Sequence, residues 1–161
     1  MQSAGFEPHD HNACIADAIS AAEAYCADHQ LRLTPARRRV LEILLEEHKA
    51  MGAYEVLDRL KAEGMGSQPP VAYRCLDFLV SHGFVHRIER LNAFIACARP
   101  HDDHYPAFLI CRVCDSVAEA TTAQSKGLLG PAAKDAGFEI EQTVVEAVGI
   151  CPDCRNAAVP S

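Results

Sequence analysis

The chain has 161 residues, of which 49% are hydrophobic and 23% charged, with a formal net charge of −7. That length allows one domain or two small ones with a modest core, and no apolar run reaches the ~20 residues of a membrane-spanning helix. The negative balance excludes a uniformly basic nucleic-acid coat, but it is uneven: residues 31–90 hold ten Lys/Arg against eight Asp/Glu, and the remainder five against fourteen, so a weakly basic middle can still meet a polyanion if its charges gather on one face.

The opening, MQSAGFEPHDHNAC, has neither the basic start nor the apolar stretch of a secretory signal. A cytoplasmic location with reduced cysteines is therefore expected. CIADAISAAEAYC then places Ile15, Ile19, Ala22 and Cys26 at helical spacing. LTPARRRVLEILLEE predicts a second helix, with Thr34 as N-cap, Pro35 in the first position and an apolar stripe of Val40, Ile43 and Leu44. GAYEVLDRLKAEG predicts a third, with Val56, Leu57 and Leu60 inward and a glycine at its end. SQPPVAYRCLDFLVSHG predicts a fourth, opening on Ser and Pro and closing on Gly83. On it, Ala72, Cys75, Leu76 and Leu79 share one side, Arg74, Asp77 and Ser81 the other, and Tyr73 lies on the flank.

After Gly83 the period changes to two. FVHRIE and AFIAC predict a hairpin turning at Leu91–Asn92, and helices followed by a hairpin are the order of a winged helix-turn-helix. An outward Tyr73–Arg74 pair near the start of the fourth helix suits a major groove, where Arg binds guanine bidentately and an aromatic packs on a thymine methyl. Arg37 and Arg38, with Arg39 beside them, are candidate phosphate contacts. ARPHDDHYP reads as a hinge. Beyond it AFLIC and SVAEA predict strands, residues 122–136 a helix, and FEIEQTVVEAVGI one long strand. The fold class is thus α+β, with a winged-helix DNA-binding domain over 1–92, a wing strand and hinge over 93–105, and a small α/β metal-binding domain over 106–161.

Two CxxC pairs, Cys111/Cys114 and Cys151/Cys154, stand 36 residues apart. Two such knuckles supply four thiolates to one tetrahedral zinc. Disulfides are the alternative, but CxxC bridges are strained and the expected compartment is reducing. A redox pair would need one activated thiol, for which no setting is evident. Four sulfurs leave zinc no open position, so the site reads as structural. A second site is suggested by the hairpin: a two-residue turn sets paired residues to sum to 183, placing His86 opposite Cys97 with Cβ atoms ~4.5–5.5 Å apart. Near His101, Asp102, Asp103 and His104, such a pair fits zinc better than magnesium or calcium.

At these residues the chain resembles the ferric uptake regulator family, and within it the branch of zinc uptake regulators. The resemblance runs from RLTPARRRVLEIL through PPVAYRCLDFLVSHGFVHRIE and FIAC to HYPAFLICRVCDSVAE and CPDC. It implies a structural zinc on Cys111, Cys114, Cys151 and Cys154, and a regulatory zinc on His86, Cys97, His104 and Glu119, two ions per chain. It also implies DNA contacts from Tyr73, Arg74 and Tyr54, a homodimer formed through the C-terminal domain, and zinc-dependent repression from a palindromic operator. Asp115 departs from the family's usual glycine, and His101 is a spare histidine. Cys14, Cys26 and Cys75 read as small buried hydrophobes. No open metal position beside a general base is evident, so no enzyme, small-molecule substrate or membrane partner is expected. The alternatives are the same architecture sensing iron, manganese, nickel or peroxide, and a CxxC thiol redox protein.

Overall fold

The computed structural model describes residues 3–4, 11–47, 50–65, 68–97, 105–122, 125–141 and 143–157. In chain order the elements are β1 (Ser3–Ala4), α1 (His11–Asp28), α2 (Pro35–Glu46), α3 (Ala53–Ala62), α4 (Pro69–Ser81), β2 (Val85–Ile88), β3 (Ala93–Ala96), β4 (Tyr105–Cys111), β5 (Val117–Thr122), α5 (Ser125–Asp135), β6 (Val145–Gly149) and α6 (Pro152–Ala157). They divide into two compact units, Pro8–His101 and a second made of Met1–Glu7 with Asp102–Ser161. Among the described residues no helix is long and apolar enough to cross a membrane.

In the first unit the apolar stripes meet as their spacing predicts. Ile19, Ala22 and Cys26 of α1, Val40, Ile43 and Leu44 of α2, Val56 and Leu60 of α3, and Cys75, Leu76 and Leu79 of α4 form one buried core; Ile15 is only partly buried against it, and Cys14, expected to be buried, is exposed one position off the stripe. Each fully buried Val, Leu or Ile contributes ~1.5–3 kcal/mol relative to exposure. Thr34 caps α2, its Oγ1 accepting the Arg37 N–H at 3.3 Å, with Pro35 at the first position. The residue before α4 is Gln68; the Ser67 expected to open that helix lies outside the described residues. At the far end Gly83 takes a φ of 78° and the Phe84 N–H donates to Leu79 O at 2.9 Å. This left-handed stop releases the chain into β2.

The hairpin differs from expectation in its register. Val85 pairs with Ala96, His86 with Ile95, Arg87 with Phe94 and Ile88 with Ala93, so paired numbers sum to 181. The turn is the four residues 89–92 rather than Leu91–Asn92 alone. Asn92 sits at φ 47°, its N–H donating to Glu89 O at 3.2 Å while its Oδ1 accepts from Arg87 at 2.8 Å. An Asn able to occupy the left-handed region lets a longer loop close. Met51 exchanges both backbone hydrogen bonds with Phe94, at 2.8 and 2.7 Å, and flanks the ribbon on its other side.

The second unit is a four-stranded sheet in the order β1-β5-β4-β6. β4 is antiparallel to β5 and parallel to β6, with Cys111 opposite Gly149. The predicted helix begins only at Ser125, because β5 runs on to Thr122. The long strand expected over 138–150 is reduced to Val145–Gly149. Its ladder on β4 starts at Ala107 opposite Val145; the residue before, Pro106, has no N–H to extend it. Among the described residues upstream, 138–141 and 143–144, the alternating pattern has no partner strand.

Candidate metal centres and nucleic-acid interface

The parallel pairing of β4 with β6 explains how two cysteine pairs with 36 residues between them come together. Cys111 ends β4, and Cys151 follows β6 two residues after its register partner Gly149. Arg112 N–H continues that ladder to Gly149 O at 2.9 Å. The first knuckle closes when Cys111 N–H donates to Ser116 O (2.9 Å) and Asp115 N–H to Cys111 O (3.0 Å). The second is the start of α6, where Pro152 occupies the first helical position and Arg155 N–H reaches Cys151 O at 2.9 Å.

All four sulfurs lie within 4.8 Å of one another. Cys114 Sγ and Cys151 Sγ are 3.8 Å apart, which is the edge of a tetrahedron whose centre lies about 2.3 Å from each sulfur, the zinc–thiolate distance. The surroundings already favour ionised sulfur. Backbone N–H donors from Cys151 (3.4 Å) and Cys114 lower the Cys111 thiol to about 6. The Ser116 hydroxyl, 3.0 Å away, lowers Cys114. Cys154 moves the other way, pushed up to about 12 by its hydrogen bond to Cys151, then by burial and the remaining sulfurs. Sulfurs packed this closely do not all ionise side by side unless a cation shares the charge. The donor set fits a closed, four-thiolate ion of zinc's size. Ser116 is a supporting residue that the cysteine spacing did not point to; its position two residues past Cys114 is the only signal in the sequence.

In the wing, the register puts Ile95, not Cys97, directly opposite His86. Cys97 instead faces Phe84, its N–H donating to Phe84 O at 2.9 Å. The shift is two residues, so both side chains stay on one face of the ribbon as diagonal neighbours. Their ligand atoms lie within 4.8 Å of each other, with Cys97 buried and His86 half-buried. In the other unit Glu119 lies on β5 between Phe108 of β4 and Ala4 of β1. It is the buried charged residue among those described, 7% exposed. His104, expected to be the fourth ligand of this set, and His101 lie outside the described residues.

The face of α4 opposite the core carries exposed Arg74, whose Nε donates to Pro70 O at 3.3 Å, beside Tyr73, 43% exposed. Tyr54, near the start of α3, is 64% exposed. Both rings lie on the outside of the unit, away from its core. The arginine triplet is different. Arg37 lies 3.8 Å over the Phe78 ring and donates to Arg32 O at 2.6 Å. Arg38 pairs with Glu23 (2.5 Å) and Glu42 (3.2 Å). Arg39 joins Glu42, Glu46 and Glu63, and these bonds raise its already high pKa.

Residues 28–148 match the model of the ferric uptake regulator family. The zinc uptake regulation protein of Escherichia coli (strain K12) is 35% identical over 137 residues, covering 84% of this chain and 80% of that protein. The chain belongs to the ferric uptake regulator family. Among solved structures, a zinc uptake regulator complexed with zinc and DNA is 33% identical, with a TM-score of 0.85 over 89% of this chain and 96% of that one. The crystal structure of holo XcZur is 38% identical, with a TM-score of 0.78 over 86% and 96%.

The family match stops at residue 148, short of Cys151 and Cys154, so their place in the thiolate set is carried by the sulfur geometry. The first knuckle turns at Asp115, where the resemblance implies a glycine. Asp115 takes a φ of 60°. Aspartate is among the few side chains that enter the left-handed region at modest cost, so the first knuckle keeps its shape.

Proposed function

We propose that this protein is a zinc-responsive transcriptional repressor of zinc-uptake genes, working in the cytoplasm as a homodimer on a palindromic duplex operator and having no catalytic activity. Each chain takes two zinc ions. One is structural, on Cys111, Cys114, Cys151 and Cys154. The other is regulatory, on His86, Cys97, His104 and Glu119, and when bound it supplies a joint between the wing, the hinge and the C-terminal sheet. In this reading the DNA-binding domain spans residues 1–92 apart from the Ser3–Ala4 strand, which joins the C-terminal sheet; 93–105 are the wing strand and hinge, and 106–161 the dimerisation domain.

The observation that carries the reading is the His86–Cys97 pair on one face of the wing. An imidazole beside a thiolate favours zinc, whereas nitrogen and oxygen ligands alone favour iron or manganese. That argues against the same architecture sensing another metal or peroxide. Tyr73 and Arg74 read bases in the major groove, with Tyr54 beside them. Arg37 and Arg38 reach phosphates only by exchanging Phe78, Glu23 and Glu42 for them, so their contribution is smaller and more salt-dependent. Regulation follows from linkage: with the two domains held at one spacing, the reading helices of a dimer match two half-sites, and DNA must tighten zinc by the factor that zinc tightens DNA.

The test is zinc content per chain before and after mild chelation, with operator binding followed in parallel. Two ions falling to one, with loss of DNA binding, is the expected result. A single ion that never exchanges would refute the regulatory site, and Arg74→Ala binding the operator at full affinity would refute the recognition helix.

A further inference from the structure

The two-residue strand β1 pairs with the C-terminal sheet, although α1, only seven residues after Ala4, belongs to the helical unit. Ser3 lies opposite Ala120 and Ala4 opposite Glu119, on the edge of β5 that β4 does not use. On the other edge Phe108 of β4 is the partner of Glu119. The backbone carrying this buried carboxylate is therefore held from both sides. Without β1, β5 would be an edge strand at this point, and sheet edges with open N–H and C=O groups are where local opening begins. A metal ligand has to be held to within about 0.5 Å of its working position by elements that are themselves fixed.

We propose that the Ser3–Ala4 strand is a positioning element of the regulatory metal site, closing the edge of β5 at Glu119 so that the carboxylate is set before the ion arrives. Between Ala4 and Tyr105 the chain passes through the helical unit, so that unit is linked to the metal-binding unit at both of its ends. This rests on the reading of Glu119 as a regulatory ligand. Two residue pairs are a small ladder, and neither Ser nor Ala is a strong strand former, so the strand contributes a graded bias.

The experiment compares the full chain with a chain lacking residues 2–4, with Ala4→Pro, which cannot donate to a ladder, and with Ala4→Ser, which keeps the N–H. Hydrogen exchange over 117–122 and the affinity of the second zinc ion in chelator competition are read together, with the four-cysteine ion as internal reference. The deletion and Ala4→Pro should speed exchange at Glu119, whose N–H faces β1 while that of Ala120 faces β4, and weaken the second ion by about 3- to 10-fold, the range expected for one lost hydrogen bond. Ala4→Ser should match the full chain, and the first ion should be unaffected throughout. Unchanged affinity of the second ion in both disrupted variants overturns the proposal, whether or not exchange speeds up. Should Glu119→Gln in the full chain leave the second ion equally tight, the reading of Glu119 is what has failed; the exchange data still report whether β1 closes the edge.

Discussion

In the helical unit a continuous core runs from Ile19 on α1 to Phe94 in the wing, and the outward faces are largely polar. In the C-terminal unit the buried apolar residues among those described, Ala107, Phe108, Ile110, Val117, Ala118 and Ala120 with Cys111 and Cys151, are fewer, while Leu109, Val148 and Ile150 stay 40–44% exposed along β4, β6 and the segment after it. A sheet this small buries too little apolar surface to be well fixed alone, and below a certain core size domains turn to metals or partners. Four thiolates at one end of the sheet and an apolar stretch along its β6 side match those two remedies. The contrast teaches that the two units should fail in different ways, which can be tested one at a time.

The largest effect should come from Cys114→Ser. It removes one corner of the four-sulfur set and leaves the others crowded. Structural zinc contributes on the order of 10 kcal/mol of folding free energy, so the C-terminal unit should lose zinc and its cooperative thermal transition while the helical unit keeps its helical circular dichroism. One simultaneous loss of both signals would show that the units do not fold separately. Leu76→Ala is the converse. Leu76 is fully buried in the helical core, and a Leu→Ala cavity costs about 2–5 kcal/mol. The helical transition should fall steeply while the zinc on the four cysteines stays bound, as elemental analysis after mild chelation would check.

The two units also differed in how legible they were. The helical core could be read from spacing because burial on a helix follows one period: Ala72, Cys75, Leu76 and Leu79 are all inward. The hairpin face was legible but its register was not. Face depends on alternation, whereas register depends on a turn that hinges on the backbone angles of Asn92. A shift of one residue would have separated His86 from Cys97; the actual shift of two leaves them neighbours. In the C-terminal unit the cysteine spacing pointed to the metal site without showing the parallel β4–β6 pairing that closes it. The stretch 138–144 alternates like a strand but its described residues, 138–141 and 143–144, join no ladder, and β1 has no pattern at all in Ser3–Ala4. Strands need partners, and partners are distant in sequence.

Smaller changes sharpen the comparison inside the helical unit. Thr34→Ala removes the side-chain acceptor of the Arg37 N–H and should cost about 1 kcal/mol, readable as a lower denaturant midpoint at unchanged slope, with zinc content unaffected.

The smallest expected effect is electrostatic. Arg39 on α2 holds Glu63 at the end of α3 with two bonds, 2.8 and 2.5 Å, and also meets Glu42 and Glu46. The Arg39 hydrogen bonds keep the Glu63 carboxyl below its usual range, with the Arg39 and Arg59 charges adding to the effect. A carboxyl whose pKa is lower in the folded state stabilises the fold fully above its unfolded pKa, about 4.3, and loses that contribution as pH falls through the folded value. Wild type should therefore exceed Glu63→Gln in stability at neutral pH, and the two should converge in acid below the folded pKa. The pair is partly exposed, so added salt should also shrink the gap. Acid melting curves of both proteins at low and high salt check this. A gap that persisted unchanged into strong acid would mean that Glu63 acts through packing rather than charge.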